Sequence, residues 1–262
     1  MKISTELQKI YSTLAAECDN LHFGPQAAAV YNPLVYAVRP HKLYIKLAGA
    51  APKKVIFLGM NPGPWGMAQT GIPFGEISSV RNWLGIEAAV DKPGREHPKR
   101  PIEGFACARS EVSGRRLWGL FRERFRTPER FFRDHFVANY CPLVFMDSGG
   151  ANITPDKLPA DQTGPLFKLC DRALADIIRL LNPKWVIGVG GFAKKRIERV
   201  KEEYFNGGNF NGGNFNGSNF NGSTSFDFSI AQILHPSPAS PKANAGWDRE
   251  VTRTLEELGI WH

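Results

Sequence analysis

Four short, largely apolar runs, at 54–58, 135–141, 185–190 and 229–234, alternate with segments of helical periodicity, and that alternation excludes most architectures. Each run is too short for a buried helix and lacks the polar alternation of a half-solvated strand, so each reads as a strand covered on both faces. Between them, helical spacing joins Leu7, Ile10, Tyr11, Leu14 and Cys18, and again Leu117, Phe121 and Phe125. A longer stripe runs from Leu166 through Leu169, Cys170, Ala173, Leu174 and Ile177 to Leu181, opened by Pro165 and stopped by Asn182-Pro183. Gly190-Gly191 opens a basic helix through Lys194, Lys195 and Arg196, and Trp247, Val251, Leu255 and Leu258 mark a last helix ended by Gly259. Strands and helices in alternation predict an α/β fold: three layers, α/β/α, around a central, mostly parallel four-stranded sheet.

Two loops follow strands of that sheet, GMNPGPWGMAQTGIPFG at 59–75 and HPSPASPKANAGW at 235–247. In open α/β sheets ligands sit beyond the carboxyl ends of the parallel strands, so Asn61 and His235 are expected to face one crevice. Pro142 ends the 135–141 strand, which leaves Asn139 as its last polar residue.

A chain of 262 residues with 42% apolar content suits a single domain, 1–262. Its 33 lysines and arginines outnumber 25 acidic residues, a net charge of +8 that favours a polyanionic partner and serves solubility equally well. Arg115, Arg116, Arg122 and Arg126 lie largely off the apolar helix face, as a solvated surface or as phosphate contacts. Cys18, Cys107, Cys141 and Cys170 form no C-x-x-C pair and no leader peptide opens the chain, so a reducing compartment is expected, with no metal and no cofactor. No apolar run approaches the roughly 18 residues of a membrane span. Between 205 and 223 an Asn/Gly/Phe-rich repeat is too polar and glycine-rich to offset the entropy of ordering, and reads as a flexible insertion at the amino end of the sheet.

At the level of motifs the chain resembles the single-strand-selective monofunctional uracil-DNA glycosylases, within the uracil-DNA glycosylase superfamily. The likeness rests on Tyr31-Asn32-Pro33-Leu34, the 59–75 loop, His97-Pro98-Lys99-Arg100-Pro101-Ile102, Ser110-Glu111-Val112-Ser113-Gly114, Asn139 with Cys141-Pro142-Leu143, 152–155, Val186-Ile187-Gly188-Val189-Gly190 and 235–247. These segments are collinear from about residue 25 to residue 259.

The resemblance implies a uracil-DNA glycosylase-like fold and hydrolysis of the N-glycosidic bond of uracil and C5-modified uracil in DNA, which initiates base excision repair. Such a reaction builds positive charge on the sugar and negative charge on the departing pyrimidine, so it needs a placed water and an anion stabiliser. By the resemblance Asn61 holds the water and His235 donates to the leaving base. Read alone, Asn61 is also a turn cap, and His235 and Phe74 are also ordinary structural residues. Asn139 reads the base, Phe74 stacks on it, and Met60 and Gly63 line the same loop, with Gly63 leaving room at the C5 edge. An amide that flipped would admit cytosine, so a neighbour must hold Asn139 in place.

Pro238, Ala239, Ser240, Pro241, Lys242 and Asn244 are expected to form the wedge that enters the duplex. Here the chain departs from the vertebrate pattern, where an arginine and an asparagine stand at the positions of Ala239 and Ser240, so activity on duplex is expected to be weaker than on single strands. Partners are single- and double-stranded DNA bearing the damaged base; no membrane is involved and a monomer is expected. The compartment is intracellular: nucleoid-associated cytoplasm in a bacterium, the nucleus in a eukaryote. The alternatives are a superfamily glycosylase preferring deaminated purines such as xanthine or hypoxanthine, and an inactive nucleic-acid-binding module. No lysine in the two loops matches a Schiff-base nucleophile, so no strand-cleaving step is expected.

Overall fold

The four apolar runs form one parallel sheet. The computed structural model describes residues 2–206 and 227–262. In chain order its strands are β1 (Ala29–Tyr31), β2 (Val55–Gly59), β3 (His135–Asn139), β4 (Val144–Met146), β5 (Asn152–Ile153), β6 (Trp185–Val189) and β7 (Ser229–Ile233). The main sheet has the order β3-β2-β6-β7, with every neighbouring pair parallel. β2 is buried along its whole length and β6 nearly so, which requires cover on both faces and gives the expected three layers. From β2 the chain crosses to β3 on one side, while β6 leads to β7 on the other. The crevice beyond β2 and β6 is therefore the switch point at which α/β sheets bind ligands.

Around the sheet, helix Ile3–Asp19 packs along helix Ala160–Leu181 and helix Gly191–Lys201 packs on β6 and β7. The apolar stripes read from spacing face the core: Leu7, Leu14, Leu117, Phe121, Leu166, Ile177, Val251 and Leu255 all lie in one continuous buried cluster, with Phe125, Leu169 and Leu258 partly buried against it. All four cysteines are buried and free, with the Cys170 thiol against those of Cys18 and Cys141. No described helix is long and apolar enough to cross a membrane.

Two features escape the sequence pattern. Tyr31-Asn32-Pro33-Leu34, whose Asn-Pro pair reads as a turn-rich link, closes β1 and opens helix Pro33–Tyr36. β1 belongs to a small antiparallel sheet, β1-β4-β5, with Ala29 opposite Met146 and Phe145 opposite Ile153. Strands of two or three residues are too short to show a period. Arg196 also leaves the solvent: it pairs with buried Asp171, which accepts from the Tyr140 hydroxyl at 2.7 Å, and its guanidinium lies 4.5 Å from the Phe167 ring centroid. Tyr140, the residue after Asn139, is thereby anchored to helices Ala160–Leu181 and Gly191–Lys201.

The 205–223 insertion lies outside the described residues from 207 onward. Its flanks meet at the amino end of β7, where the Phe205 and Phe228 rings stand 5.4 Å apart.

Candidate active site

β2 ends at Gly59, and pairing with β3 continues one step further, with Tyr140 and Cys141 donating to the carbonyls of Gly59 and half-buried Met60 at 2.9 and 2.8 Å. Asn61 follows. Its Nδ2 donates to the Leu143 carbonyl at 3.2 Å and to the Pro62 carbonyl at 3.5 Å. Two carbonyls facing the amide fix its orientation, because an oxygen turned toward them would be repelled. Oδ1 therefore remains as an acceptor.

Fully buried Gln69 spends its whole amide on holding this loop. Its Nε2 donates to the Pro64 and Pro101 carbonyls, both at 3.1 Å, and its Oε1 accepts from Glu103 and Gly104 at 2.8 and 3.1 Å. Thr70 closes the loop by donating to the Gly75 carbonyl at 2.9 Å.

At the carboxyl end of β3, Asn139 stands opposite Gly59 in register. A Cβ on Gly59 would lie 2.4 Å from the Asn139 Oδ1 and 2.5 Å from Phe74 Cε2, so the glycine permits an amide and an aromatic ring to meet above β2. Phe74 is buried and adopts a φ of 53°, a left-handed conformation costly for an aromatic residue. It is held there from outside: the Trp118 indole donates to the Pro73 carbonyl at 3.2 Å, and a Cβ on Gly114 would strike the Phe74 carbonyl at 2.1 Å. The Asn139 Nδ2 donates to the Met67 sulfur at 3.3 Å, while its Oδ1 is buried without a partner. Met67 is the neighbour that orients the amide, a role no local pattern in the sequence discloses.

The Phe74 ring centroid is 6.2 Å from that of His235, which joins the β7 loop to the same group of residues. Burial lowers the imidazole's pKa and favours its neutral form. The Ser237 amide donates to Nδ1 at 3.1 Å, so Nδ1 is the acceptor and the ring proton sits on Nε2. Gly190, at φ 93°, makes room: a Cβ there would lie 3.2 Å from the His235 Cβ.

Gly63 has a neighbour that sequence reasoning missed. A Cβ on Gly63 would point at the Glu111 carboxyl, 2.4 Å from Oε2, and a Cβ on Gly66 would come within 2.1 Å of the same atom. This is a reason for glycine at 63 in addition to space beside a base. Oε2 is buried without a hydrogen-bond partner, and burial, with the nearby Glu76, pushes the Glu111 carboxyl up to about 7.

The wedge residues are arranged as a stapled loop. Pro238, Ala239, Pro241, Lys242 and Asn244 are exposed, while half-buried Ser240 caps helix Pro241–Asn244 by accepting from the Ala243 amide at 3.3 Å. Asn244 donates to the Pro238 carbonyl at 2.9 Å. Arg116, expected on a solvated face or against phosphate, reaches across to the Asn244 Oδ1 at 2.8 Å and the Pro236 carbonyl at 3.1 Å. A separate hollow of about 510 Å³, lined by Leu120, Arg124, Phe125 and His262 among others, lies elsewhere. Phe125 packs on His135 at the amino end of β3, so that hollow opens away from the site residues.

Comparison with known proteins agrees with this geometry. Residues 48–259 match the uracil DNA glycosylase superfamily. The chain is 44% identical over 247 residues to the single-strand selective monofunctional uracil-DNA glycosylase of Rattus norvegicus, covering 94% of this chain and 82% of that protein. To the Bos taurus protein of the same description it is 45% identical over 244 residues, covering 93% and 82%. In fold it is similar to the crystal structure of Pedobacter heparinus SMUG2, with a TM-score of 0.64 at 13% identity over 99% of this chain and 97% of that one. A parallel sheet whose strand ends bring together Asn139, Phe74 and a tautomer-fixed His235, with Asn61 two residues beyond the end of β2, together with identity at this level over most of its length, assigns the chain to the uracil DNA glycosylase superfamily.

Proposed function

We infer that this protein is a monofunctional DNA glycosylase that hydrolyses the N-glycosidic bond of uracil and C5-modified uracil in single- and double-stranded DNA, acting as a monomer. The observation that carries the reading is the orphaned Asn139 Oδ1, buried beside Phe74 with no protein partner. An unsatisfied buried acceptor costs about 1–3 kcal/mol. Uracil N3–H satisfies it, while the remaining Nδ2 hydrogen is offered to O4. Cytosine presents an acceptor at N3 and a donor at C4, and so is opposed at both points.

With the base extruded onto Phe74, the neutral His235 donates through Nε2 to O2 as negative charge develops there. One such preorganised donor is worth on the order of 10²–10³ in rate. The outward Asn61 Oδ1 accepts a hydrogen bond from the water that attacks the sugar carbon. An amide is no base at neutral pH, so the step depends on departure of the stabilised base and on water placement. All of these groups come from one chain, which supports a monomer. Small side chains at Ala239 and Ser240 fill a vacated base stack poorly, which favours single-stranded substrate.

Asn61→Ala tests the reading. Uracil release from a single-stranded oligonucleotide, measured in single turnover, should drop by on the order of 10²-fold, while affinity for the same oligonucleotide persists. Undiminished release by the variant would remove Asn61 from the chemistry; absence of release by the native chain would leave only DNA binding.

A further inference from the structure

The segment Ser110-Glu111-Val112-Ser113-Gly114, which opens helix Val112–Phe125, touches the site from behind at several points. Ser110 donates to the Glu76 Oε1 at 2.9 Å, and Glu76 caps helix Ile77–Asn82 two residues beyond Phe74. Gly114 abuts the Phe74 carbonyl. Glu111 lies between, its Oε2 lodged in the notch formed by Gly63 and Gly66. Gly63 is two residues from Asn61, and Gly66 directly precedes Met67, the sulfur partner of Asn139.

We propose that Glu111 is a positioning residue for the glycosylase reaction: its carboxyl, seated between Gly63 and Gly66, fixes the loop that carries Asn61 at one end and Met67 at the other. The proposal rests on the roles given above to Asn61 and Asn139. Oε2, buried without a hydrogen-bond partner in a half-buried residue, favours the neutral acid, because an unpaired charge at that atom is far more costly than a buried acid. The groups facing it reinforce this. Glu76 is held by the Ser79 amide at 2.8 Å and the Ser79 hydroxyl at 2.7 Å, and its charge opposes a second one nearby. On the loop side, Arg100 and Arg109 stack on the Trp65 ring at 5.0 and 5.1 Å, and neither forms an ion pair with Glu111 among the described residues. Ionisation of Glu111 expels the carboxyl from its notch or draws water into it; either change releases the Gly63–Gly66 loop and with it both amides.

The test uses the full chain and a single-stranded uracil oligonucleotide, with single-turnover rate and binding affinity measured from about pH 5.5 to about pH 8.5. The native rate should decline as pH rises through about 7, the range in which Glu111 loses its proton. Glu111→Gln, uncharged and of the same shape, should match the native rate at the acid end and stay level across the range. Glu111→Ala should lose on the order of 10²-fold in rate, the scale of an ångström-level misplacement, with affinity for DNA little changed. Gly63→Ala should be damaging in the native chain, yet add nothing to the loss in a Glu111→Ala background, because its clash partner is gone.

An unaltered rate in Glu111→Ala, a Glu111→Gln profile that keeps the native slope, or losses that multiply in the double variant would each overturn the proposal. If Glu111→Gln fails to fold, as judged by its melting curve, the native pH profile and the Gly63→Ala cycle still decide. Failure of the functional reading looks different: the native chain would release no uracil at any pH.

Discussion

If Asn139 reads the base as proposed, selectivity depends on a single weak contact. Its amide is chemically ambiguous: turned by 180° it would present the pattern that welcomes cytosine instead of uracil. Gly59 gives it space but no preference, and its own Oδ1 has no protein partner, so the Met67 sulfur at 3.3 Å is the group that breaks the tie. Met67→Leu keeps the volume and removes the acceptor. Uracil excision should fall modestly while cytosine excision rises from background, so that the ratio of the two rates narrows by about tenfold, or about 1.4 kcal/mol of discrimination. Paired oligonucleotides differing only in that base would measure it, and an unchanged ratio would transfer the orienting role to another group. As candidates, Asn61, Asn139 and His235 were marked by their places in Gly/Pro-rich loops or at strand ends, where the chain must turn and leave polar groups exposed, whereas Phe74 came from the family resemblance. Met67, Gln69 and Glu111 were not assigned roles, since nothing local marks a methionine as a hydrogen-bond acceptor or a glutamate as buried.

Among the elements, the loop 235–247 and helix Val112–Phe125 work as a pair, and sequence spacing hides this. Arg116 lies 120 residues from the Pro236 carbonyl it meets, and on a helical wheel it belongs with solvent-facing arginines. Only the folded chain shows it holding the wedge by the Pro236 carbonyl and the Asn244 side chain. The same limit applies to β1, β4 and β5, whose pairing is set by the register of distant segments, while β2 and β6 were readable because burial on both faces makes them apolar; β7, read as covered on both faces, is an edge strand with Ser229 and Gln232 exposed. Removing the staple with Arg116→Ala should loosen a loop whose work is needed most when a base must be pulled from a stack. Duplex substrate should therefore lose several-fold more activity than single-stranded substrate, given an extrusion cost of a few kcal/mol in duplex. The comparison needs one uracil-bearing strand, alone and annealed. Equal losses on the two would assign Arg116 to general stability.

For the molecule as a whole, two buried imidazoles, one behind the 59–75 loop and one at the amino end of β3, shape the response to acid. His41 is 4% exposed, bonds the Gly71 carbonyl through Nδ1 at 2.8 Å, and leaves Nε2 buried without a partner; burial lowers its pKa to about 4. His135, at the start of β3, bonds the Phe131 carbonyl at 3.1 Å and stacks on the Phe131 ring at 5.0 Å; burial brings it to about 4 as well. Both folded values lie below the unfolded value of 6.5, so between those limits the unfolded chain binds more protons. Their stabilisation is complete above about pH 6.5 and is lost as pH falls through about 4, a decline on the order of a few kcal/mol. Glu111 works in the opposite sense: raised from 4.5 to about 7 in the fold, it favours the native state below the unfolded value and weakens it as pH rises through the folded one. Between about pH 4.5 and 7 the two effects therefore oppose each other, and because two imidazoles outweigh one carboxyl the melting temperature should rise from about pH 4 to about pH 6.5 and stay nearly level above about pH 7. His135→Gln should flatten that rise and Glu111→Gln should steepen it, and because the two groups lie at opposite ends of the sheet the double variant should show the sum of the two changes. A flatter rise in Glu111→Gln, or a double variant that departs from the sum, would mean that the titrations are coupled through the core and that the carboxyl end of the sheet is not energetically separable from its amino end.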